Sequence, residues 1–147
     1  MEIRPAREEE IEPLTQLFIR ARNEMDYLPP VPDEAAVPIA ASIRGHDEVW
    51  VAEAGGRLLG FLGIEHSTNL GAPVLERLYV DPAEQNRGVG SALLAKAKAL
   101  RPELYLWVFQ KNPARRLYER NGFRLERLTD GSENMEHEPD ALYRWPA

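Results

Sequence analysis

The residues best suited to chemistry lie in one short loop, Gln85-Asn86-Arg87-Gly88-Val89-Gly90-Ser91. This loop follows a predicted strand and opens a predicted helix. The first N–H groups of a helix have no intrahelical partner and lie at the positive end of the helix dipole. Glycines let a ligand approach these groups closely, and Arg87 adds a positive charge that is not lost at neutral pH. The loop therefore predicts a phosphate-binding site.

Two common phosphate-binding patterns are absent from this loop. The Walker loop needs Gly-Lys followed by Ser or Thr, and the chain has no such tripeptide. The dinucleotide fingerprint G-x-G-x-x-G fails because Leu93 occupies the position of the third glycine. A pyrophosphate held mainly by backbone amides remains as an interpretation. A helix that merely begins with glycines at a tight turn is the alternative.

The composition limits the classes of function. The chain has 147 residues, of which 44% are hydrophobic and 29% charged, as is typical of one globular domain. Its net charge of -6 argues against a nucleic-acid partner. The absence of cysteine excludes disulfides and thiol catalysis. No apolar run approaches the roughly 20 residues that cross a bilayer, so we predict a cytoplasmic protein with no membrane partner.

The three histidines, His46, His66 and His137, do not have the spacing of metal ligands. We therefore predict no metal site and interpret all three as ordinary surface or strand-end residues.

Hydrophobic periodicity predicts one α/β domain over residues 1–147, with a mixed sheet and the order β-α-α-β-β-β-α-β-α-β-β. Asp33 is expected to cap the second helix. Gly55-Gly56 is expected to form a two-residue hairpin turn, and the apolar run Leu104–Phe109 to form a strand buried on both faces. The first helix is expected to bury Ile11, Leu14, Phe18, Ala21 and Met25.

Two motifs connect the chain to a known family. Gln85-x-x-Gly88-x-Gly90 matches the motif Q/R-x-x-G-x-G/A, and the preceding Leu78–Pro82 resembles the strand that leads into it. The segment Asn112–Phe123 resembles N-x-x-A-x-x-L-Y-x-x-x-G-F. With both motifs in the right order, the chain resembles the GNAT superfamily of N-acetyltransferases over nearly its whole length. The predicted element order also fits the fold of that superfamily.

The resemblance implies acetyl-CoA as the acyl donor, with its pyrophosphate on the amides of residues 87–91. In such folds the strand before the loop diverges from the next strand, and the pantetheine arm lies between them. Asn112 is also well placed to cap the following helix, so its role stays open between capping and cofactor binding. The residues implied for acetyl-CoA are Leu78, Tyr79, Val80, Gln85, Asn86, Arg87, Gly88, Val89, Gly90, Ser91 and Asn112.

Acyl transfer to an amine makes three chemical demands. The amine, with an ordinary pKa of about 10, must lose a proton. The developing oxyanion needs a donor, such as a backbone N–H near Tyr79 or Val80. The departing thiolate needs a proton, and the motif position of Tyr118 implies this role, with a purely packed tyrosine as the alternative. Glu76 is the candidate base because a period of two places it on one face with Leu78 and Val80; a salt bridge or a solvated carboxylate is the alternative.

The segment 129–140 is acidic. Together with Tyr143 and Trp145 it resembles the ending N-E-E-x-x-P-D-x-x-Y-x-W of a group of small bacterial GNAT proteins, although Met135 departs from that pattern. We hypothesise that this segment shapes the acceptor pocket, the alternative being a solvated surface loop. The residues in question are Asn134, Glu136 and Asp140.

The sequence therefore predicts an acetyltransferase that moves the acetyl group of acetyl-CoA to a small-molecule or peptide amine by direct attack. The resemblance also allows a homodimer. Two alternatives stay open: a non-catalytic acyl-CoA-binding module, and an unrelated nucleotide-binding α/β protein. The acceptor itself is not determined by the sequence.

Overall fold

The computed structural model describes residues 1–146, which form seven strands and four α-helices. Their order confirms the predicted element order, and the strand predicted over Leu104–Phe109 has those bounds. In chain order the elements are β1 (Glu2–Pro5), α1 (Ile11–Asn23), α2 (Ala36–Arg44), β2 (Glu48–Ala54), β3 (Arg57–Ser67), β4 (Ala72–Val80), α3 (Val89–Leu100), β5 (Leu104–Phe109), α4 (Arg115–Arg120), β6 (Arg124–Leu128) and β7 (Asp140–Trp145).

The seven strands form one mixed sheet in the order β1-β2-β3-β4-β5-β7-β6. Strands β4 and β5 run parallel, and the other neighbouring pairs are antiparallel. The predicted hairpin turn joins β2 to β3, with Gly55 and Gly56 both at positive φ, which a tight hairpin of this kind requires. The predicted α/β class with a mixed sheet is confirmed.

Helices cover both faces of this sheet, and the alternation of side chains along the strands assigns each face its own core. Phe61 of β3 packs in a cluster with Leu14 of α1 and Ile43 of α2. Its neighbour Leu62 joins a second, larger cluster with Leu93 of α3. Because successive strand residues face opposite sides, β3 is buried on both faces and forms the centre of the fold.

Two predictions about the first helices are wrong in detail. Helix α1 ends at Asn23, so Met25 lies beyond it, while Leu17, which was not predicted, is 1% exposed. Helix α1 contacts both the sheet and α2. Its buried surface therefore includes residues outside the predicted apolar face. Asp33 does not cap α2, because it lies inside a single 3-10 turn that precedes that helix and its side chain makes no capping bond.

The prediction that β5 is buried on both faces is also wrong. Leu104, Leu106 and Val108 are buried, but Trp107 between them is 39% exposed. The open face of β5 borders a cavity that Trp107 lines. Within the described chain one residue pair, Val74 with Tyr105, is in register between β4 and β5. The far part of β5 therefore also leaves its edge toward β4 unpaired.

Strand β4 also contains an irregularity near this unpaired edge. Gly63 of β3 pairs with Arg77, and the next residue Ile64 pairs with Leu75, so Glu76 has no partner in the ladder. An extra residue of this kind is a β-bulge, which bends the strand and changes the direction of local side chains. Bulges are common next to active sites.

Gly60 of β3 allows α3 to lie close to the sheet. A Cβ atom at this position would lie 2.6 Å from the carbonyl oxygen of Tyr79 and 3.2 Å from side-chain atoms of both Leu93 and Val89. Replacing Gly60 by Ala is therefore expected to lower the free energy of unfolding by about 1–3 kcal/mol through overpacking. Urea denaturation measures this loss.

Gly45→Ala is the matched control for this substitution. Its nearest neighbour would be the carbonyl oxygen of Ala41 at 3.4 Å, and its φ of -82° suits any residue. Equal stabilities of the two variants would contradict the proposed close contact at Gly60.

Candidate active site

A cavity of about 1260 Å³ occupies the space where β4 and β5 diverge. Its walls include residues of both strands, the start of α3, most of the segment before and within α4, and the acidic segment 129–140. One continuous cavity therefore joins the predicted phosphate loop to the predicted acceptor segment. This volume exceeds the usual range for small-molecule sites of about 300–1,000 Å³, as expected when two molecules must meet.

The predicted phosphate loop opens a helix, as its sequence indicates. Gly88 precedes the first residue of α3 and has a φ of +80°, a left-handed conformation that favours glycine. A Cβ atom on Gly88 would meet nothing within 4 Å, so space lies open beside the helix start. The loop residues on the cavity wall are Gln85, Asn86, Gly88, Val89, Gly90 and Ser91.

Gly90 allows close packing around the first turn of α3. A Cβ atom there would lie 3.3 Å from Leu117 Cδ2 and 3.7 Å from Val80 Cγ2. The absence of a side chain thus lets the first turn of α3 approach both β4 and α4. The two sequence motifs meet at this contact, which brings Tyr118 into the same cavity as the phosphate loop.

Arg87 does not line the cavity in the way that the sequence suggests. Its Nη1 donates to Glu84 Oε1 at 2.6 Å, and Arg57 Nη2 donates to the other oxygen of the same carboxylate. Glu84 is 3% exposed, whereas both arginine side chains are largely exposed. A buried carboxylate needs such partners. Glu84 therefore anchors the loop, with Arg87 on one side and the start of β3 on the other.

Glu84 and Arg57 were missed by the sequence analysis. They lie 27 residues apart, and neither belongs to a motif. No local signal connects them, because the contact exists only once β3 has paired with β4.

Tyr118 is buried beneath the cavity wall. It is 7% exposed, and its ring centre lies 6.0 Å from that of Phe123. Within residues 1–146 no hydrogen bond contributes to the pKa of its hydroxyl, and Tyr118 lines the cavity, so the hydroxyl is available to a ligand there. Burial raises the pKa of the Tyr118 hydroxyl well above its ordinary value of 10. The group is therefore protonated at neutral pH and able to donate a proton or a hydrogen bond.

Glu76 lines the cavity, but not for the reason that the sequence suggested. The bulge interrupts the period of two that was expected to align it with Leu78 and Val80. Its side chain is exposed toward the cavity side of β4. Partial burial, followed by the nearby charge of Glu65, raises the pKa of the Glu76 carboxyl, while Arg77 lowers it. A raised carboxyl pKa makes a stronger base.

Leu78, Tyr79 and Val80 also line the cavity. Each is paired with β3 on one side, and none is in register with β5 on the other. Their backbone groups on the β5 side are therefore open to a ligand.

The prediction that Asn112 caps the following helix is wrong, because the N-cap residue of α4 is Ala114 and no side chain caps it. Asn112 Oδ1 accepts the backbone N–H of Ala114 at 2.9 Å, which stabilises the turn before α4. Asn112 and Ala114 both line the cavity. The side-chain amide of Asn112 is thus oriented by its own turn.

The acidic segment is a braced structure and not a freely solvated loop. Asn134 Nδ2 donates to the carbonyl oxygen of Glu138 at 2.7 Å and to Asp140 Oδ2 at 3.1 Å, and Thr129 Oγ1 donates to Asp140 Oδ1. Glu136 Oε2 lies 3.5 Å from Arg22 Nη2 of α1. Asn134, Glu136 and Asp140, which were hypothesised to shape the acceptor pocket, all line the cavity. Asn134 and Asp140 shape it by holding the loop, and Glu136 presents its charge.

The interpretation of His46 as an ordinary surface or strand-end residue is wrong. Its side chain is 3% exposed and packs against Gly63 of β3, where a Cβ atom would lie 2.5 Å from the ring. Arg77 Nη1 can only donate, so His46 Nε2 accepts at 2.6 Å, and Nδ1–H donates to Glu65 Oε1 at 2.8 Å. The ring is therefore neutral, and burial lowers the pKa of His46.

This arrangement makes stability depend on pH. The pKa of folded His46 lies below its ordinary value of 6.5, so the unfolded chain binds the proton first as the pH falls. Its contribution to stability is complete above about pH 6.5 and is lost below it, by at most about 1.4 kcal/mol per pH unit. His46→Gln, which keeps an acceptor for Arg77, is expected to flatten this dependence in urea denaturation between pH 5 and 7.

His66→Gln is the control for this measurement, since His66 is exposed. It is expected to keep the wild-type slope. An unchanged slope in His46→Gln would show that another group is responsible.

No helix among residues 1–146 is long and apolar enough to span a bilayer.

Comparison with known proteins identifies a family. The model of the acetyltransferase (GNAT) domain matches residues 45–125. The matched region contains the phosphate loop and α4, and it ends before the acidic segment. Among characterised proteins, the chain is 34% identical over 109 residues to peptidyl-lysine N-acetyltransferase YiaC of Escherichia coli (strain K12). That alignment covers 74% of this chain and 66% of the relative, just under two thirds of its length.

Solved structures show the same fold at low sequence identity. The PaiA N-acetyltransferase of Thermoplasma acidophilum, in complex with coenzyme A, superposes with a TM-score of 0.73 at 22% identity, covering 97% of this chain and 96% of that one. Ard1 of Thermoplasma volcanium superposes with a TM-score of 0.77 at 19% identity, covering 97% and 95%.

Proposed function

The chain belongs to the GNAT acetyltransferase family, and from this premise we propose that it transfers the acetyl group of acetyl-CoA to an amine by direct attack. The observation that carries the proposal is the continuous cavity between β4 and β5, which joins the start of α3 to Tyr118 and to the acidic segment. All strands of the described chain lie in one sheet, which supports a single catalytic domain. A cytoplasmic location stays a prediction from the sequence.

The residues around the cavity fit acetyl-CoA. The first-turn amides of α3 are open to a pyrophosphate because Gly88 leaves free space beside them. Gln85, Asn86 and the amides of residues 87–91 would hold that group, with the charge of Arg87 close by. Leu78, Tyr79 and Val80 would offer backbone groups to the pantetheine arm along the open side of β4. Asn112 would add its side-chain amide.

Three groups of the chain meet the chemical demands of the transfer. Glu76, whose carboxyl pKa is raised, takes one proton from the ammonium group and so makes the nitrogen nucleophilic; the second nitrogen proton leaves to water as the amide forms. As the new N–C bond forms and the C–S bond breaks, a backbone N–H near Tyr79 or Val80 stabilises the charge on the acyl oxygen. Tyr118, a phenol that is protonated at neutral pH, donates its proton to the departing sulfur and regains one from water. When bound, acetyl-CoA supplies the activated acyl group.

The proposed acceptor is a primary amine that arrives as a cation, such as the side chain of a peptidyl lysine. The cavity wall is rich in carboxylates around its acceptor end, including Asp130, Glu133 and Glu136. These favour a positively charged ligand. The similarity to a peptidyl-lysine N-acetyltransferase supports the same class. A small-molecule amine is the other acceptor compatible with this wall.

Tyr118→Phe tests the general acid. The variant keeps the ring that packs on Phe123 but cannot donate a proton, so kcat is expected to fall by about 10²-fold or more. Binding of acetyl-CoA is expected to stay unchanged. Thiol release with a lysine peptide measures kcat, and calorimetry measures binding.

Tyr105→Phe is the matched control for Tyr118→Phe. Tyr105 lies on β5, where it pairs with Val74, and it is not part of the cavity wall. This variant is expected to keep wild-type activity. A Tyr118→Phe variant with wild-type kcat would remove the general-acid role. Absence of thiol release from wild type with every amine tested would favour a non-catalytic acyl-CoA-binding module.

Glu136→Gln tests the acceptor end. Gln retains a polar side chain beside Arg22 but removes the charge that faces the cavity. The acceptor KM is expected to rise by about two- to fivefold, the range of a partly exposed ion pair, while the KM for acetyl-CoA stays constant. Glu126→Gln on the exposed strand β6 is the control. An acceptor KM that is the same in all three proteins would contradict the role of Glu136.

A further inference from the structure

Trp107 and Arg127 form a shelf on the cavity wall that the proposed reaction does not use. Trp107 is 39% exposed, and the Arg127 guanidinium carbon lies 5.4 Å from the centre of its indole ring. Both residues line the cavity. A guanidinium over an indole is a favourable cation–π pair that leaves the N–H groups of the arginine free at its edge. We call this pair the Trp107–Arg127 shelf.

The shelf lies on the opposite face of the sheet from α3. Leu106 and Val108, the neighbours of Trp107, belong to the same core cluster as Leu93 of α3. Trp107 therefore projects from the other face. In the sheet, Leu142 of β7 pairs with Trp107 on one side and with Arg127 on the other. Trp107 and Arg127 thus lie on either side of Leu142 in one row of the sheet. The strand register therefore fixes the position of the shelf.

The charge of Arg127 is unusual in its surroundings. Six carboxylate side chains line the cavity, those of Glu76, Glu84, Asp130, Glu133, Glu136 and Asp140. The basic residues in the wall are two, Arg127 and Arg120 of α4. Within residues 1–146, Arg127 has no carboxylate within 4.0 Å, whereas Arg22 and Arg87 each have one. Within residues 1–146, Arg127 is therefore an exposed cation at the rim of an acidic cavity, with no carboxylate to neutralise it.

We propose that the Trp107–Arg127 shelf binds a carboxylate carried by the acceptor, at a site separate from its amine. The proposal rests on the acetyl transfer proposed above and names a feature of the acceptor. Carboxylates make up most of the charge of the wall, and of its two arginines Arg127 is the one that lies over an indole ring, so the shelf favours a carboxylate at one position. The planar guanidinium matches a carboxylate with two parallel N–H donors, and the indole beneath it limits the number of arginine conformers.

The carboxylate of the acceptor has two possible sources, and a panel of acceptors distinguishes them. The first is an acidic side chain next to the acceptor lysine in a peptide. The second is the α-carboxylate of a free amino acid. Three lysine peptides that differ only in a neighbouring Glu, Gln or Lys test the first source. Free lysine and lysine methyl ester, which lacks the carboxylate charge, test the second.

The expected result is a preference for the carboxylate in one arm of the panel. In wild type, kcat/KM is expected to be about two- to fivefold higher for the Glu peptide than for the Gln peptide, or for lysine than for its methyl ester, the size of an exposed ion pair. Arg127→Gln is expected to abolish this preference. Arg127→Glu is expected to reverse it in favour of the Lys peptide or the ester.

Arg124→Glu is the control, because Arg124 is exposed on the same strand and lies outside the cavity wall. It changes the net charge as Arg127→Glu does but is expected to keep the wild-type preference. A wild type without preference in either arm would overturn the proposal. So would the same preference in wild type and Arg127→Glu.

Direct binding separates this proposal from the proposed acetyl transfer. The affinity of each acceptor is also measured by calorimetry in the presence of CoA, which requires no turnover. If no acetyl group is transferred but Arg127→Glu reverses the binding preference, the shelf is supported and the reaction is not. If transfer proceeds and neither affinity nor kcat/KM responds to Arg127, the reaction is supported and the shelf is not.

Discussion

The contact between β4 and β5 is the constraint on which the rest of the structure depends. Val74 and Tyr105 join the strands at one point, after which the backbones separate. The separation does not divide the hydrophobic core, because Leu75 of β4 and Leu106 of β5 pack in one cluster with Leu93 of α3. One face of the opening is therefore supported by a packed helix. The sheet can thus leave a backbone edge unpaired beside a cavity and still bury its core.

The two ends of the cavity present different chemical groups to a ligand. The phosphate end presents backbone amides at a helix start, and their direction is set by Gly88 and by the anchoring of Glu84 between two arginines. The acceptor end presents side chains from several strands and from the braced acidic segment. Backbone donors suit a donor substrate shared by a whole family. The family match over residues 45–125 contains the glycine loop and ends before the acidic segment.

Much of the fold was predictable, because the signals are local. Periodicity determined the element order, and a short glycine motif determined the start of α3. The errors concern residues whose surroundings are distant in sequence. His46 was interpreted as an ordinary surface or strand-end residue, yet it lies between Glu65 and Arg77. Glu76 was placed by strict alternation, but a bulge that depends on pairing with β3 interrupts it. The roles of Tyr118 and Glu76 in the reaction stay predictions.

By itself, the sequence determined the α/β class, the order of the elements and the position of the glycine loop at the start of α3. Each follows from backbone preferences and side-chain spacing within a few residues. The tertiary structure alone decided which charges share the cavity. Glu84 meets Arg57, and Trp107 meets Arg127, because strand register brings distant segments together. The apolar run of β5 predicted burial on both faces, but Trp107 lies on a face that borders the cavity. Long-range pairing is a property of the whole sheet, so no local pattern encodes it.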